Sequence, residues 1–106
     1  MINNLEFKTA VETAYVAVKG ETSAISRVAC LYTDIRDTLT ICIQTPEVRL
    51  TQTLACDSAF DALVDIDTLY SVTKYLPKRG TSTLTRCADL VLLDATEIGI
   101  SAHNLD

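Results

Sequence analysis

The stretch ALVDIDTLYSVTKYLPKRGTSTLTRCADLVLLDATEIGIS, residues 62–101, decides how the chain is read. Ala62-Leu63-Val64 is a short apolar run suited to a strand. Asp65 or Asp67 can cap the helix that follows, because a carboxylate accepts a free amide proton of the first turn. Leu69, Val72 and Leu76 recur at helical spacing as its buried stripe, and Pro77 prevents continuation. Lys78-Arg79-Gly80 is an exposed basic turn. Thr83 to Cys87 and Leu90 to Ser101 are the last strands, joined tightly at Ala88-Asp89. In the second of these, Val91 and Leu93 are apolar at odd positions, Ile98 and Ile100 at even ones. Side chains of a strand alternate with period two, so a bulge or kink is expected near Asp94 to Glu97.

The first half runs in the same order, a helix and then strands. From Leu5 to Lys19, Phe7, Ala10, Val11, Ala14 and Val18 form one apolar helical face, with Lys8, Glu12 and Lys19 off it. Gly20 is the expected C-cap. Ile25 to Tyr32 reads as a strand and Asp34 to Asp37 as a turn. Thr38 to Gln44 alternates cleanly, with Leu39, Ile41 and Ile43 on one face, as in a half-buried antiparallel strand. Thr45-Pro46-Glu47 breaks it. Val48 to Cys56 alternates again, with Val48, Leu50, Leu54 and Cys56 inward, and Asp57-Ser58 turns the chain. The fold class that follows is α+β, and the two helix-and-strand halves suggest a structural repeat without sequence similarity.

With 106 residues, one domain is expected, large enough for a core. Apolar residues make up 48% and charged residues 22%, a balance that folds without help. The net charge of −5 argues against a wholly basic nucleic-acid-binding surface but leaves room for a local basic face. Cys30, Cys42, Cys56 and Cys87 are irregularly spaced, with no Cys-x-x-Cys and a single histidine, His103. Zinc sites need clustered ligands, so no metal is expected, and the cysteines read as reduced packing thiols. No signal-peptide pattern or membrane-length apolar run is seen, so a soluble, cytoplasmic location is expected.

Catalytic constellations are missing as well. Gly20, Gly80 and Gly99 are isolated, so no phosphate-cradling loop is present. His103 has no evident nucleophile, and the carboxylates at Asp65 and Asp67 are better explained by capping. Tyr70 and Tyr75 could stack on bases, although Tyr70 fits the core boundary better. No enzyme activity, cofactor or small-molecule substrate is expected.

From Thr38 onward the chain resembles the amino-terminal domain of the bacterial DNA sliding clamp, the beta subunit of DNA polymerase III. The matching pieces are Asp37 to Ile41 leading to Thr45-Pro46-Glu47-Val48-Arg49-Leu50, and Leu69-Tyr70-Ser71-Val72-Thr73-Lys74-Tyr75-Leu76-Pro77. Ser82 to Thr85, Leu90 to Leu93 and Ile98 to Ser101 look like the family's closing hairpin. The resemblance implies a clamp-like domain in which two helices pack on one face of antiparallel sheet and face the ring hole. Lysines and arginines there touch phosphates without reading bases. Carried over, the DNA-contacting candidates are Lys8, Lys19, Lys74, Lys78 and Arg79.

Two departures accompany the resemblance. Asp67-Thr68 stands where typical clamps begin the second helix with basic residues, and an acid there repels phosphate. Clamps of this family also chain three domains and pair two copies, so single domains would need roughly six copies joined at strand edges. The family's peptide-binding pocket belongs to later domains and is not carried over. Two functions follow as expectations. One is a self-assembling processivity or assembly factor on double-stranded DNA. The other is a clamp-fold module or decoy, from a mobile element for example, that engages a replication protein through its sheet edges.

Overall fold

The computed structural model describes residues 1–21, 25–33, 37–57, 61–87, 90–94 and 96–99. The chain runs β1 (Ile2–Asn3), α1 (Asn4–Ala17), a 3-10 turn (Ile25–Arg27), β2 (Val28–Thr33), β3 (Thr38–Gln44) and β4 (Arg49–Ala55). It continues through β5 (Asp61–Asp65), α2 (Ile66–Thr73), β6 (Thr81–Ser82), β7 (Leu84–Cys87), β8 (Leu90–Leu93) and β9 (Thr96–Gly99). Among the described residues all strand pairings are antiparallel.

Each half contributes a leading strand, a helix and a meander, and the leading strands are exchanged. The first sheet has the order β4-β3-β2-β5, so β5 of the second half completes the meander of the first. Conversely, β1 of the first half pairs with β6 of the second. Between β6 and β7 stands only Thr83, whose carbonyl accepts from Asp94 N–H at 2.8 Å. The Thr83 N–H donates to the Asp94 carboxylate at 3.0 Å. Thus β6 and β7 are one strand path, and the second layer reads β1, β6/β7, β8, β9. The correspondence extends to single residues. Asn3 and Asp65 each cap a helix, accepting from Glu6 N–H and Asp67 N–H. Leu31 opposite Ile41 in one sheet matches Leu84 opposite Leu93 in the other, all four fully buried.

Both helices pack on these sheets through the apolar stripes that their spacing predicts. Phe7, Val11, Ala14, Ile66 and Leu69 lie in one core with Leu39, Ile43, Val64 and Ile98. Helix α1 contacts β3 and β4, and α2 contacts β5 and β9. Fully burying a side chain such as Phe7 or Leu69 stabilises by roughly 1.5–3 kcal/mol.

Several boundaries differ from expectation. The expected bulge near Asp94 to Glu97 is instead a tight hairpin. Val91 pairs with Ile98 and Leu93 with Thr96, so apolar residues of opposite parity share a face across the reversal. Asp94 takes φ 53°, the left-handed conformation that two-residue hairpin loops require. The expected strand from Ile25 begins only at Val28, because Ile25–Arg27 is a 3-10 turn. Helix α1 ends at Ala17 with Val18 as its C-cap, and Gly20 (φ 98°) turns the chain two residues later. Val48, expected inward, is 51% exposed, because the strand starts after it at Arg49. The turn at 34–36, the junction at 88–89, Ile100, Ser101 and His103 lie outside the described residues.

Exchange of β1 and β5 ties each half's sheet to the other half. Urea unfolding should therefore show one transition, coincident by far-UV circular dichroism and tyrosine fluorescence. Phe7→Ala should lower stability by about 3–5 kcal/mol without splitting it. Separate transitions for the two probes would contradict the exchange as the cooperative link.

Candidate functional site

Helices α1 and α2 lie antiparallel, joined at three levels. Near the start of α1, Lys8 Nζ donates to the carbonyl oxygens of Lys74 at 3.2 Å and Leu76 at 2.6 Å. These belong to the last turn of α2 and beyond, where carbonyls lack helical partners and a cation offsets the helix dipole. Midway, the Tyr15 and Tyr70 rings stack with centroids 4.1 Å apart and an interplanar angle of 7°. At the far end, Arg27 presents its fork to the Asp67 carboxylate, with Nε to Oδ2 at 2.7 Å and a second bond to Oδ1. The remaining guanidinium nitrogen donates to Val18 O at 2.8 Å and Glu21 O at 3.3 Å, closing the C-terminal end of α1.

This arrangement changes the meaning of Asp67. Its carboxyl is held below the usual carboxylate range chiefly by the Arg27 hydrogen bond, with burial opposing the shift. Arg27 is held still more firmly protonated by the same bond. The acid expected to repel phosphate is therefore balanced by a neighbouring cation. Sequence reading missed Arg27, although a lone arginine in the apolar run from Ile25 to Tyr32 signals a partnered charge.

The five basic candidates do not form one group. Lys8 is half-buried and engaged with carbonyls. Lys19 is exposed beyond the opposite end of α1. Lys74 is exposed, its Nζ 5.3 Å from the Tyr75 ring centroid and 6.0 Å from that of Tyr70. Lys78 and Arg79 are exposed in the turn after α2. That turn is pinned to the start of α1, where Asn4 Nδ2 donates to Arg79 O at 3.1 Å and Asn4 N–H to Gly80 O at 3.0 Å. Lys8, Lys74, Lys78 and Arg79 thus gather at one end of the helix pair. On the exposed side of α1, Glu6 and Glu12 interrupt any continuous positive surface.

A second feature lies along β4, the outer strand of its sheet among the described residues. Cys56 N–H donates to Asp37 O, and Thr45 N–H to Val48 O, at either end of the β3–β4 ladder. Backbone groups alternate sides along a strand. With those ends fixed, Leu50, Gln52 and Leu54 aim their amides at β3. Arg49, Thr51, Thr53 and Ala55 aim theirs at the open edge. Beside this edge, α1 and β4 enclose an open groove of about 450 Å³ lined by Leu5, Glu6, Thr9, Gln52 and Leu54. Gln52 spans its floor, donating to Ala10 O at 2.6 Å. Among the described residues no helix is long and apolar enough to cross a membrane.

Two substitutions separate structure from charge. Asp67→Asn should cost up to about 1 kcal/mol at pH 7, since the pair is partly solvated. Its folded pKa is depressed, so the pair's contribution is full above the unfolded carboxyl pKa of about 3.9. It is lost as pH falls through the lower folded value, and there the variant and the parent should converge in urea denaturation. Lys8→Met should cost about 1 kcal/mol by removing bonds to two carbonyls. An unchanged melting midpoint for Lys8→Met would contradict its structural role.

No known protein family and no curated protein matches the sequence. Solved structures do. A sliding clamp (DNA polymerase III subunit beta) from Bartonella birtlesii, bound to griselimycin, superposes with a TM-score of 0.75 at 12% identity. That match covers 94% of this chain and 28% of the clamp. The DNA polymerase III subunit beta from Pseudomonas aeruginosa superposes with a TM-score of 0.76 at 14% identity, covering 99% of this chain and 30% of that one. The chain spans less than a third of the length of either structure. At this identity the likeness speaks for the fold, and the chain has the fold of one sliding-clamp domain.

Proposed function

We propose that this protein is a non-enzymatic, clamp-like assembly factor whose copies join through the open β4 edge and associate with double-stranded DNA. The observation that carries the reading is the β4 edge itself. Four alternate residues, Arg49, Thr51, Thr53 and Ala55, aim backbone donors and acceptors outward, with a half-apolar groove alongside. A strand that adds to such an edge gains main-chain hydrogen bonds, and the groove takes its side chains. On the other sheet β9, the last described strand, occupies the corresponding outer position among the described residues. A β4-to-β9 contact between copies is head-to-tail, and such contacts close into rings when the rotation permits.

DNA contact in this reading belongs to Lys74, Lys78 and Arg79, with Lys19 farther along the helix layer. Lys8 acts indirectly, holding the end of α2 that carries Lys74. A second reading, a clamp-fold module that binds a replication protein and not DNA, is favoured by Glu6 and Glu12 on the exposed side of α1.

Thr53→Pro separates edge pairing from folding, because it removes an amide aimed away from β3. The variant should keep the parent's circular dichroism and lose self-association in light scattering. For DNA, Lys74→Glu with Arg79→Glu should weaken duplex binding and lower the log–log salt slope by about 2, near 0.9 per lost contact. Lys8→Met should leave that slope unchanged. Absence of duplex binding at low salt would select the protein-partner reading, and a Thr53→Pro protein that still self-associates would remove β4 from it.

A further inference from the structure

On the outer face of the first sheet, Cys30 of β2 stands directly opposite Cys42 of β3. Thr51 of β4 and Leu63 of β5 continue the row on either side. Both cysteines are unpaired thiols, and both are half-buried. The ladder pattern fixes the kind of pair they make. Odd-numbered β3 residues aim their backbone at β4, as Asp37 and Thr45 show at the two ends, so Cys42 aims its own at β2. Cys30 and Cys42 therefore occupy a hydrogen-bonded pair, whose Cα atoms are roughly 5.5 Å apart in antiparallel sheet. That spacing lies within the range of about 4.4–6.8 Å that disulfides span. Such pairs hold their side chains farther apart than the non-hydrogen-bonded kind, so closure draws the strands together and leaves a strained, readily reduced bond.

Access is provided on one side. Cys30 lines a cavity of about 250 Å³ together with Asp61, Ala62, Leu63 and Arg86. Arg86 from β7 spans it, donating to the Asp61 carbonyl at 2.6 Å and to its carboxylate at 3.3 Å. The cavity is large enough for a hydroperoxide, and the Arg86–Asp61 pair forms part of its wall. Cys42 is the adjacent second thiol, and Thr51 Oγ1 donates weakly to its Sγ at 3.9 Å.

We propose that Cys30 and Cys42 form a peroxide-oxidisable dithiol that closes into a reversible cross-strand disulfide. The Cys30 thiolate attacks one peroxide oxygen and the O–O bond breaks. Hydroxide leaves and takes a proton to become water, and Cys30 is left as a sulfenic acid. The Cys42 thiolate then attacks that sulfur and the S–O bond breaks. A second hydroxide leaves as water. Two thiols lose two electrons and one hydroperoxide is reduced. Burial pushes the Cys30 thiol above its ordinary pKa, with Cys42 and Asp61 adding to the shift, so the first step accelerates as pH rises. The groups facing Cys30 are Cys42 on β3, Asp61 on β5 and Arg86 on β7. The bond pins β2 to β3, one strand inside the β4 edge.

The test uses the folded protein with the exposed Cys87 removed (Cys87→Ser). It is treated with hydrogen peroxide, blocked with N-ethylmaleimide after denaturation, and mapped by peptide mass spectrometry. The expected result is loss of two alkylatable thiols, one Cys30–Cys42 cross-linked peptide, full recovery with dithiothreitol, and an alkylated Cys56. Adding Cys42→Ser should abolish the cross-link and leave a Cys30 sulfenic acid that dimedone traps. The proposal is overturned if Cys30 and Cys42 both remain alkylatable, if the cross-link joins Cys56, or if Cys30 passes to sulfinate with no disulfide formed.

Discussion

The exchange of leading strands is the constraint on which the rest of the structure depends. Neither meander has its full complement of strands from its own half, since β5 completes β2-β3-β4 and β1 completes β6/β7-β8-β9. Each leading strand runs straight into a helix through an Asx cap, so placing the strand also places the helix. Asn3 and Asp65 thereby set the two helices side by side over one shared core. The last strand of each half is left on the outside of its sheet, which is why β4 presents an edge.

Once the helices are antiparallel, their contacts become polar at the two ends and aromatic in the middle. Lys8 satisfies carbonyls at the end of α2, Arg27 joins the end of α1 to the start of α2, and Tyr15 stacks on Tyr70 between them. Two of the chain's nine basic residues are thus committed to holding the helix layer together. In the proposed reading, the phosphate backbone meets chiefly Lys74, Lys78 and Arg79, with Lys19 farther along the helix layer, a patch rather than a lining. An assembly that repeats this patch around a ring would multiply a weak contact, whereas one copy alone offers little. Edge pairing therefore comes before DNA association in the functional reading.

Much of the fold was legible because its periodicities are strong. Thr38 to Gln44 alternates without interruption and is a strand over that same span. The stripe of Phe7, Val11, Ala14 and Val18 gave α1, and Asp65 with Leu69 gave α2. Where the chain reverses within a few residues, periodicity misleads. The parity change between Leu93 and Ile98 fits both a bulge and a hairpin, and only the pairing of Val91 with Ile98 distinguishes them. Strands as short as β1 and β6 leave no pattern, since two residues cannot alternate. At the candidate site, the residue types were visible but not their partners. In sequence, Lys8 and Lys74 both read as solvated lysines, yet Lys8 is bound to carbonyls 66 and 68 residues away. Asp67 reads as repulsive in the sequence because its partner, Arg27, lies 40 residues away.

Amide hydrogen exchange along β4, measured by NMR at low and high protein concentration, tests edge-to-edge assembly most directly. The amides of Thr51, Thr53 and Ala55 aim away from β3 and exchange freely unless another strand covers them. If copies join through this edge, those three should slow markedly at high concentration while Gln52 and Leu54, already bonded to β3, change little. Equal exchange at both concentrations for all five amides would mean that no second copy pairs with β4.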